Sequence, residues 1–410
     1  MAATAGHAGL VERFVRASLG QRLFVLLCLG ALIATGIAAF NGLGVEAFPD
    51  LTNNQVVVIT EAPGLAVTEV EQRVSYPIET ALMGVPGAEQ VRSTSKFGLS
   101  IVTVVFNDSV ATYFARQLVN ERLSDVRGRI PDGLTPVLGP VATAFGEIYQ
   151  YIIDDGGTNA VDTKTLHDWE LRTRLRSIPG VSEVNSWGGL TKQFHVVVDP
   201  KMLEKYGLSL RQVYQSLAEN NVAFSGGFIE HRAERYTVRG LGLAKGIADL
   251  ERIVLRAEHG VPVMLRDVAT VRVASMPRFG AVSRDGEGEV VAGMVIMLKG
   301  ENARDLASRI KARMREIAST LPAGTRILPF YDQSEVIDRT STTVLHNLLE
   351  GCALVILILL IFLRDVRASL IVAAVIPASM LVGFIGMRLF GISANLMSLG
   401  AIDFGLIVDG

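Results

Sequence analysis

Two aspartates, Asp403 and Asp409, stand six positions apart in the otherwise apolar run SLGAIDFGLIVDG (398–410). A carboxylate at the centre of a membrane helix costs about 2.5–3.5 kcal/mol on insertion scales, so such a group faces a bundle interior or a water cavity and is read first as functional. Six residues advance a helix by about 9 Å and turn it by roughly 600°, leaving the two carboxylates about 120° apart. They cannot form a same-face pair. A proton relay along the helix, or pairing with different neighbouring helices, fits that geometry. Gly400, Gly405 and Gly410 permit close helix approach around them. The structural alternative is that Asp409 merely caps the end of the segment.

Other residues able to do chemistry are sparse. Glu147, beside a β-rich run, and the group Glu230, His231 and Glu234 are candidate ligands for a divalent cation, with surface carboxylates as the plainer reading. Met380, Met387 and Met397 could suggest a soft-metal ladder, but eleven methionines in 410 residues is ordinary, and they read as packing residues. The stretch RDGEGEV (284–290) lacks the spacing and the following helix of a phosphate loop, and is expected to be a hairpin turn between Val282 and Val290. No Ser-His-Asp, HExxH or CxxC arrangement supports an enzyme. A net charge of −2 gives no bias towards nucleic acid, and Cys28 and Cys352, each inside an apolar run, read as inert thiols rather than a disulfide.

The elements that must position these groups are of two kinds. The 23 uncharged residues between Arg22 and Glu46 suffice to cross a hydrocarbon core about 30 Å thick and outrun a signal-peptide core of about 7–15 residues. Further spans are expected at 344–363 and 368–387, the latter tolerating Pro377, and a fourth from about Ser393 to the last residue, Gly410. Arg13, Arg16 and Arg22 before the first span put the N-terminus in the cytoplasm, and Arg364 and Arg367 in the turn between the second and third spans agree. Residues 46 to about 343 then lie outside the cytoplasm.

That external region repeats itself. GVPGAEQVRSTSKFGLSIVTVVF (84–106) echoes SIPGVSEVNSWGGLTKQFHVVV (177–198): a helix stops at hydrophobic-Pro-Gly, a valine follows six positions later, and a turn leads to a strand. Strands at 56–60, near Val91 and at 101–106 alternate with helices at 68–83 and 112–129. Strands at 148–153, 181–187 and 290–298 alternate with helices at 165–178 and 302–320. Each set approximates a ferredoxin-like βαββαβ module. An inserted subdomain occupies roughly 188–270, with a helix at 209–220 and a long hairpin arm, NVAFSGGFIEHRAERYTVRG (221–240), whose Gly226 and Gly227 are expected to lend flexibility. The fold class is thus a four-span membrane α-helical part, the last span truncated, plus an α+β external region.

NLMSLGAIDFGLIVDG (395–410) resembles the fourth transmembrane helix of the heavy-metal efflux branch of resistance-nodulation-division (RND) transporters, and its DFGxxxDG form is similar to the CzcA-like pumps. FPDLTNNQVVVITEAPG (48–64), VEQRVSYPIET (70–80), YFARQLVNERL (113–123) and NLLEGCALVILILLIFLRDVRASL (347–370) are similar to the same family. The resemblance implies a homotrimeric inner-membrane pump driven by proton entry, working with a periplasmic adaptor protein and an outer-membrane channel. It would hold no cofactor, its cargo being divalent metal ions of the Zn/Co/Cd/Ni class. Asp403 and Asp409 would form the proton relay, while Glu147 stays a candidate metal ligand on its own chemistry alone. Phe224, Gly226, Gly227, Glu230 and Arg232 of the arm would reach a neighbouring protomer.

The implied division is 1–45 for the cytoplasmic N-terminus and first span, 46–134 for a first porter subdomain, 135–187 with 271–332 for a second, 188–270 for a docking subdomain, and 333–410 for the remaining spans. Such pumps have twelve spans, so this chain is expected to be an N-terminal fragment. A hydrophobic-drug pump of the same superfamily would present aromatic pocket walls, against 7% aromatic residues here. A membrane-anchored periplasmic sensor would not need a third and a fourth span with intramembrane acids, here Asp403 and Asp409 in the fourth.

Overall fold

The computed structural model describes residues 20–43, 52–143, 145–156, 159–232, 234–258, 260–278, 280–392 and 395. Helix α1 (Arg22–Asn41) is apolar all round: its window Leu23–Phe40 has mean hydropathy 2.6 and only 11% of it is buried. A helix with no polar stripe needs an apolar solvent or a protein coat. Among the described residues this is the one helix long and apolar enough to cross a membrane. Leu349–Leu363 and Pro377–Phe390 are shorter apolar stretches.

Module 1 begins at β1 (Gln55–Glu61). Helix α2 follows in three pieces: Val67–Val70, a π turn at Glu71–Ser75, and Tyr76–Leu82. Then come β2 (Ala88–Lys96), β3 (Leu99–Phe106), α3 (Thr112–Val126) and the two-residue β4 (Val137–Leu138). The antiparallel sheet has the order β2-β3-β1-β4, so the chain reads β-α-β-β-α-β. The burial periods explain the assembly. Val70, Val74, Ile78 and Leu82 recur every four residues, as do Ala115, Val119 and Leu123. They pack on Val56 and Val58 of β1 and on Val102, Val104 and Phe106 of β3, which recur every two.

Module 2 repeats the plan with β5 (Glu147–Asp154) and a helix α4 in three pieces, Ala160–Leu166, a π turn at His167–Leu171, and Arg172–Arg176. After β6 (Val181–Trp187) the chain leaves the module. The excursion contains β7 (Lys192–Val198), α5 (Leu210–Asn220), β8 (Ala223–His231), β9 (Glu234–Leu241), β10 (Val254–Glu258), β11 (Val261–Met264) and β12 (Ala269–Ser275). The chain returns through β13 (Val291–Met297), α6 (Ala303–Ala318) and β14 (Arg326–Asp332), giving the order β14-β5-β13-β6. The Pro-Gly echo has one geometry in both modules. Ala88 N donates to Val85 O and Val181 N to Ile178 O, and the glycine carbonyls of Gly87 and Gly180 accept from Asn107 N and Leu298 N.

Two sequence boundaries move. The first sheet claims Val137–Leu138, beyond the expected limit at 134, because β4 pairs with Val58 and Ile59 of β1. The inserted part extends past 270 to Ser275, because the whole of β12 pairs with β7. A two-residue edge strand carries no alternation to read, and β12 alternates as well as any module strand. The hairpin expected in RDGEGEV is present: Val290 N donates to Val282 O, and Ser283 bridges Glu289.

Helix α7 (Gln333–Leu363) is continuous for 31 residues, roughly 46 Å at 1.5 Å per residue. The span expected at 368–387 is two helices, α8 (Val366–Ala373) and α9 (Val375–Phe390), parted at Ala374. Pro377 has no N–H to donate to Ala373 O and its ring crowds that carbonyl, which is where the helix breaks. Helices α1 and α9 pack in parallel. Gly36 lies against Leu381, the rings of Phe40 and Phe384 are 5.0 Å apart, and Arg388 Nη1 donates to Ala38 O at 2.8 Å.

The π turns place one buried polar group per module under the sheet. In module 1 the Ser75 hydroxyl meets those of Ser95 and Ser100 at 2.8 and 2.7 Å. In module 2 the fully buried His167 shares a 2.9 Å hydrogen bond with the Tyr151 hydroxyl and a 3.2 Å one with Asp168. Burial pushes the Tyr151 phenol up, and the neighbouring Tyr149 and Asp168 add to it. Burial would also raise Asp168, but the His167 hydrogen bond and Lys164 outweigh it and hold the carboxyl below its ordinary value. Gly293 on β13 makes room for this pair, since a Cβ there would lie 2.2 Å from Tyr151 Cζ and 2.7 Å from His167 Nε2. Gly293→Ala should therefore destabilise module 2 by about 1–3 kcal/mol or more, the usual cost of overpacking, read as an earlier thermal midpoint in detergent. An unchanged midpoint would show that the pair moves aside freely.

Candidate functional site

The arm projects from the inserted subdomain as a two-stranded ribbon, β8 with β9, paired with no third strand among the described residues. Every described residue of the ribbon except Gly240 is exposed, including Phe224 at 65% and Ile229 at 59%. An isolated hairpin in water is marginal at best, and both of its edges present unpaired backbone groups. Large apolar side chains on such an element mark a surface built to meet another.

Gly226 and Gly227 have a role other than the expected flexibility. The pairing register shifts between Ser225 and Phe228, so that both glycines stand opposite Val238. Gly227 sits at φ 83°, and a Cβ on Gly226 would come 2.8 Å from Val238 Cγ1. This is a β-bulge, which bends and twists the ribbon. At the tip Glu230 stands across from Arg235 and His231 across from Glu234, Arg232 turns the chain at φ 58°, and the Arg235 guanidinium lies 3.2 Å from the Phe228 ring centre. The carboxylate of Glu234 is taken by the Tyr236 hydroxyl.

Glu147 opens β5, exposed, accepting from Gln150 Nε2 at 3.3 Å. Burial first, then Glu147 and Asp332, push the Tyr331 phenol up. The structure does not bring Glu147 together with the tip of the arm into one centre. Among the described residues no group of three His, Cys, Asp or Glu side chains could hold a metal ion. Asp403 and Asp409 lie outside the described residues.

Two features escaped the sequence reading. A cleft of about 1120 Å³ lies between the modules, lined by Glu61, Tyr113 and Arg116 of module 1 and by Arg172, Arg176 and Glu183 of module 2. Glu183 accepts from Arg172 at 3.0 Å and lies 3.9 Å from Arg176. Arg116 donates to Gly139 O at 2.7 Å, and burial lowers its pKa. Only the i,i+4 spacing of Arg172 and Arg176 hinted at this grouping. The second feature is the start of α7. Asp332 caps it, accepting from Ser334 N at 2.9 Å and Ser334 Oγ at 2.7 Å, and pairs with Lys311 of α6 at 2.9 Å. Burial opposes ionisation of Asp332, yet the hydrogen bonds from Ser334 and Lys311 prevail and hold its carboxyl below the usual range. Burial, with Asp332 and Glu335 nearby, pushes the Tyr149 phenol up to about 12.

A family model described as AcrB/AcrD/AcrF matches residues 14–410. The "Cobalt-zinc-cadmium resistance protein CzcA" of Cupriavidus metallidurans is 42% identical over 410 residues, covering 98% of this chain and 38% of that protein. The "Cation efflux system protein CusA" of Escherichia coli K12 is 40% identical over 407 residues, covering 98% and 39%. A crystal structure of a heavy metal efflux pump superposes with a TM-score of 0.86 at 38% identity, over 96% of this chain and 40% of that one. The chain thus spans about two fifths of the length of the relatives it matches.

A valine at position 227 meets the left-handed backbone cost of roughly 1–2 kcal/mol. Gly227→Val should therefore erase the bulge and speed amide exchange across 223–241, with α5 unaffected. Unchanged exchange in the arm would mean that the bulge is not what holds its shape.

Proposed function

Since the chain belongs to the AcrB/AcrD/AcrF family, we propose that the protein it is part of exports divalent heavy-metal cations across the cell envelope, driven by proton entry. The observation that carries this reading is the 0.86 TM-score to a heavy metal efflux pump at 38% identity over nearly the whole chain. In this reading the protein is a multi-pass inner-membrane component with a cytoplasmic N-terminus and a large periplasmic region, joined to an adaptor protein and an outer-membrane channel. Modules 1 and 2 are its porter subdomains and the inserted part is its docking subdomain. The apolar helices α1, α7 and α8–α9 are its first three spans, and residues from about 393 onward begin the fourth.

The metal class is supported by the name of the 42% identical relative, a cobalt-zinc-cadmium resistance protein, by the DFGxxxDG form, and by the lack of a cysteine-rich site in the sequence. Borderline divalent ions accept carboxylate and imidazole, while Cu(I) prefers sulfur. Glu147 is a candidate transient contact for the cargo. Asp409 is the proton carrier, and Asp403 tunes it or relays to it: burial raises a carboxyl pKa and a cationic neighbour lowers it, so a group held between those effects can load on one side and discharge on the other. In a metal-sensitive Gram-negative host, the full-length protein should raise tolerance to zinc, cobalt, cadmium or nickel. Asp409→Asn should abolish that gain without lowering expression. Protection confined to copper and silver, or to organic drugs, would overturn the metal class, and full tolerance from Asp409→Asn would overturn the relay.

The arm serves assembly of a homotrimer, with Phe224, Gly226, Gly227, Glu230 and Arg232 at the contact. Its exposed apolar side chains support this, since a partner surface supplies the burial the ribbon lacks. Deleting 225–234 from the full-length protein should reduce crosslinked trimers. Persistence of trimers with loss of metal binding would make the arm a ligand site instead.

A further inference from the structure

Helix α7 belongs to two environments. Its first turns are part of the core of module 2: Gln333 and Ser334 are buried, and Ile337, at 1% exposure, packs in one cluster with Ile310, Met314 and Ile317 of α6. From Asp338 on, most described side chains of the helix are exposed, and from Leu349 to Leu363 it is apolar. The seated part, 333–337, is about 7 Å of a helix roughly 46 Å long. A single apolar contact is non-directional, so Ile337 alone would let the long arm of this lever swing about its seat. Off-axis ties are needed to resist that torque, and α6 supplies them. Lys311 Nζ lies 2.9 Å from both Asp332 Oδ2 and Ser334 Oγ. Arg304 reaches Asp338 at 2.7 Å on the other side of the seat, but that pair is about half exposed and screened by water. In the Lys311 pair the lysine is 41% exposed but the Asp332 side chain only 8%, so the carboxylate is the shielded member, and removing Lys311 strands it with fewer partners.

We propose that Lys311 locks module 2 to α7 as one rigid body, and that it is the positioning residue through which movement of the membrane part of α7 reaches the sheet of module 2. The second half of this statement rests on the efflux reading; the first does not. The carboxylate that Lys311 holds belongs to the last residue of β14, which pairs with Tyr149 of β5 and caps α7, so the lock acts at the joint between sheet and helix.

The test uses the protein in lipid nanodiscs with Cys28→Ala and Cys352→Ala, carrying spin labels at Ser308→Cys on α6 and Thr343→Cys on α7, both exposed positions. The interlabel distance should be a single narrow population. Lys311→Met should broaden it or split it in two, and Lys311→Arg, which keeps a cation at that reach, should restore it. Should Lys311→Met fail to fold, Ser334→Ala removes one of the two acceptors of Lys311 and should broaden the distance in the same direction. In the full-length protein Lys311→Met should lose metal tolerance, and Lys311→Arg should retain it. A distance as narrow in Lys311→Met as in the parent would overturn the lock. A broadened distance with undiminished tolerance would overturn its role in transport. If the parent full-length protein gives no tolerance while the distances behave as described, the efflux reading fails and the rigid joint stands.

Discussion

A backbone that is hydrogen-bonded at every turn resists bending, and α7 is such a backbone for 31 residues with no proline or glycine in its first eighteen. Its two ends meet different surroundings. The first turns bury Ile337 in the core of module 2, and the last fifteen residues are a mostly exposed apolar stretch. Most of what surrounds it follows from that conflict. The cap at Asp332 satisfies the helix start inside the module, where an orphaned N–H would be costly. The left-handed turn at Arg364 and the Asp365 cap of α8 reverse the chain within three residues at the other end.

Duplication gives the external region its economy. Two modules share a strand order, a Pro-Gly stop and a π turn in the first helix, yet they spend the π turn differently. Ser75 joins a short hydroxyl chain, while His167 joins Tyr151, Asp168 and, through Asp168, Lys164. A π turn widens the helix and can turn a side chain inward that an α-helix would send along its flank. The inserted part can leave after β6 and return before β13 because those neighbours in the sheet are held by pairing rather than by a tight connection.

Much of this was legible in the residues. Val70, Val74, Ile78 and Leu82 announce a buried helix face by spacing alone, and the Pro-Gly echo announces the duplication. What was not legible depends on contacts remote in sequence or on strands too short to show a period. Val137–Leu138 has two residues and no pattern, and β12 looks like a module strand until its partner β7 is seen. The Asp-Gln-Ser start of α7 reads as a cap, but nothing near it names Lys311, twenty-one positions earlier on another helix. Gly226 and Gly227 looked like slack, because a sequence shows that a bulge is permitted and not that a strand opposite requires it. The two aspartates that raised the functional question lie outside the described residues, so their geometry rests on helix periodicity.

The arm carries a consequence of another kind. Its two strands gain order chiefly by being covered, and the cover proposed for it comes from another copy. Its degree of order is then governed by mass action: the folded fraction of 223–241 becomes a function of subunit concentration in the membrane and not of this chain's stability alone. A dilute subunit would keep both modules intact while leaving a frayed, apolar ribbon open to proteolysis. The ribbon would thus act as a gauge of how crowded its own kind has become.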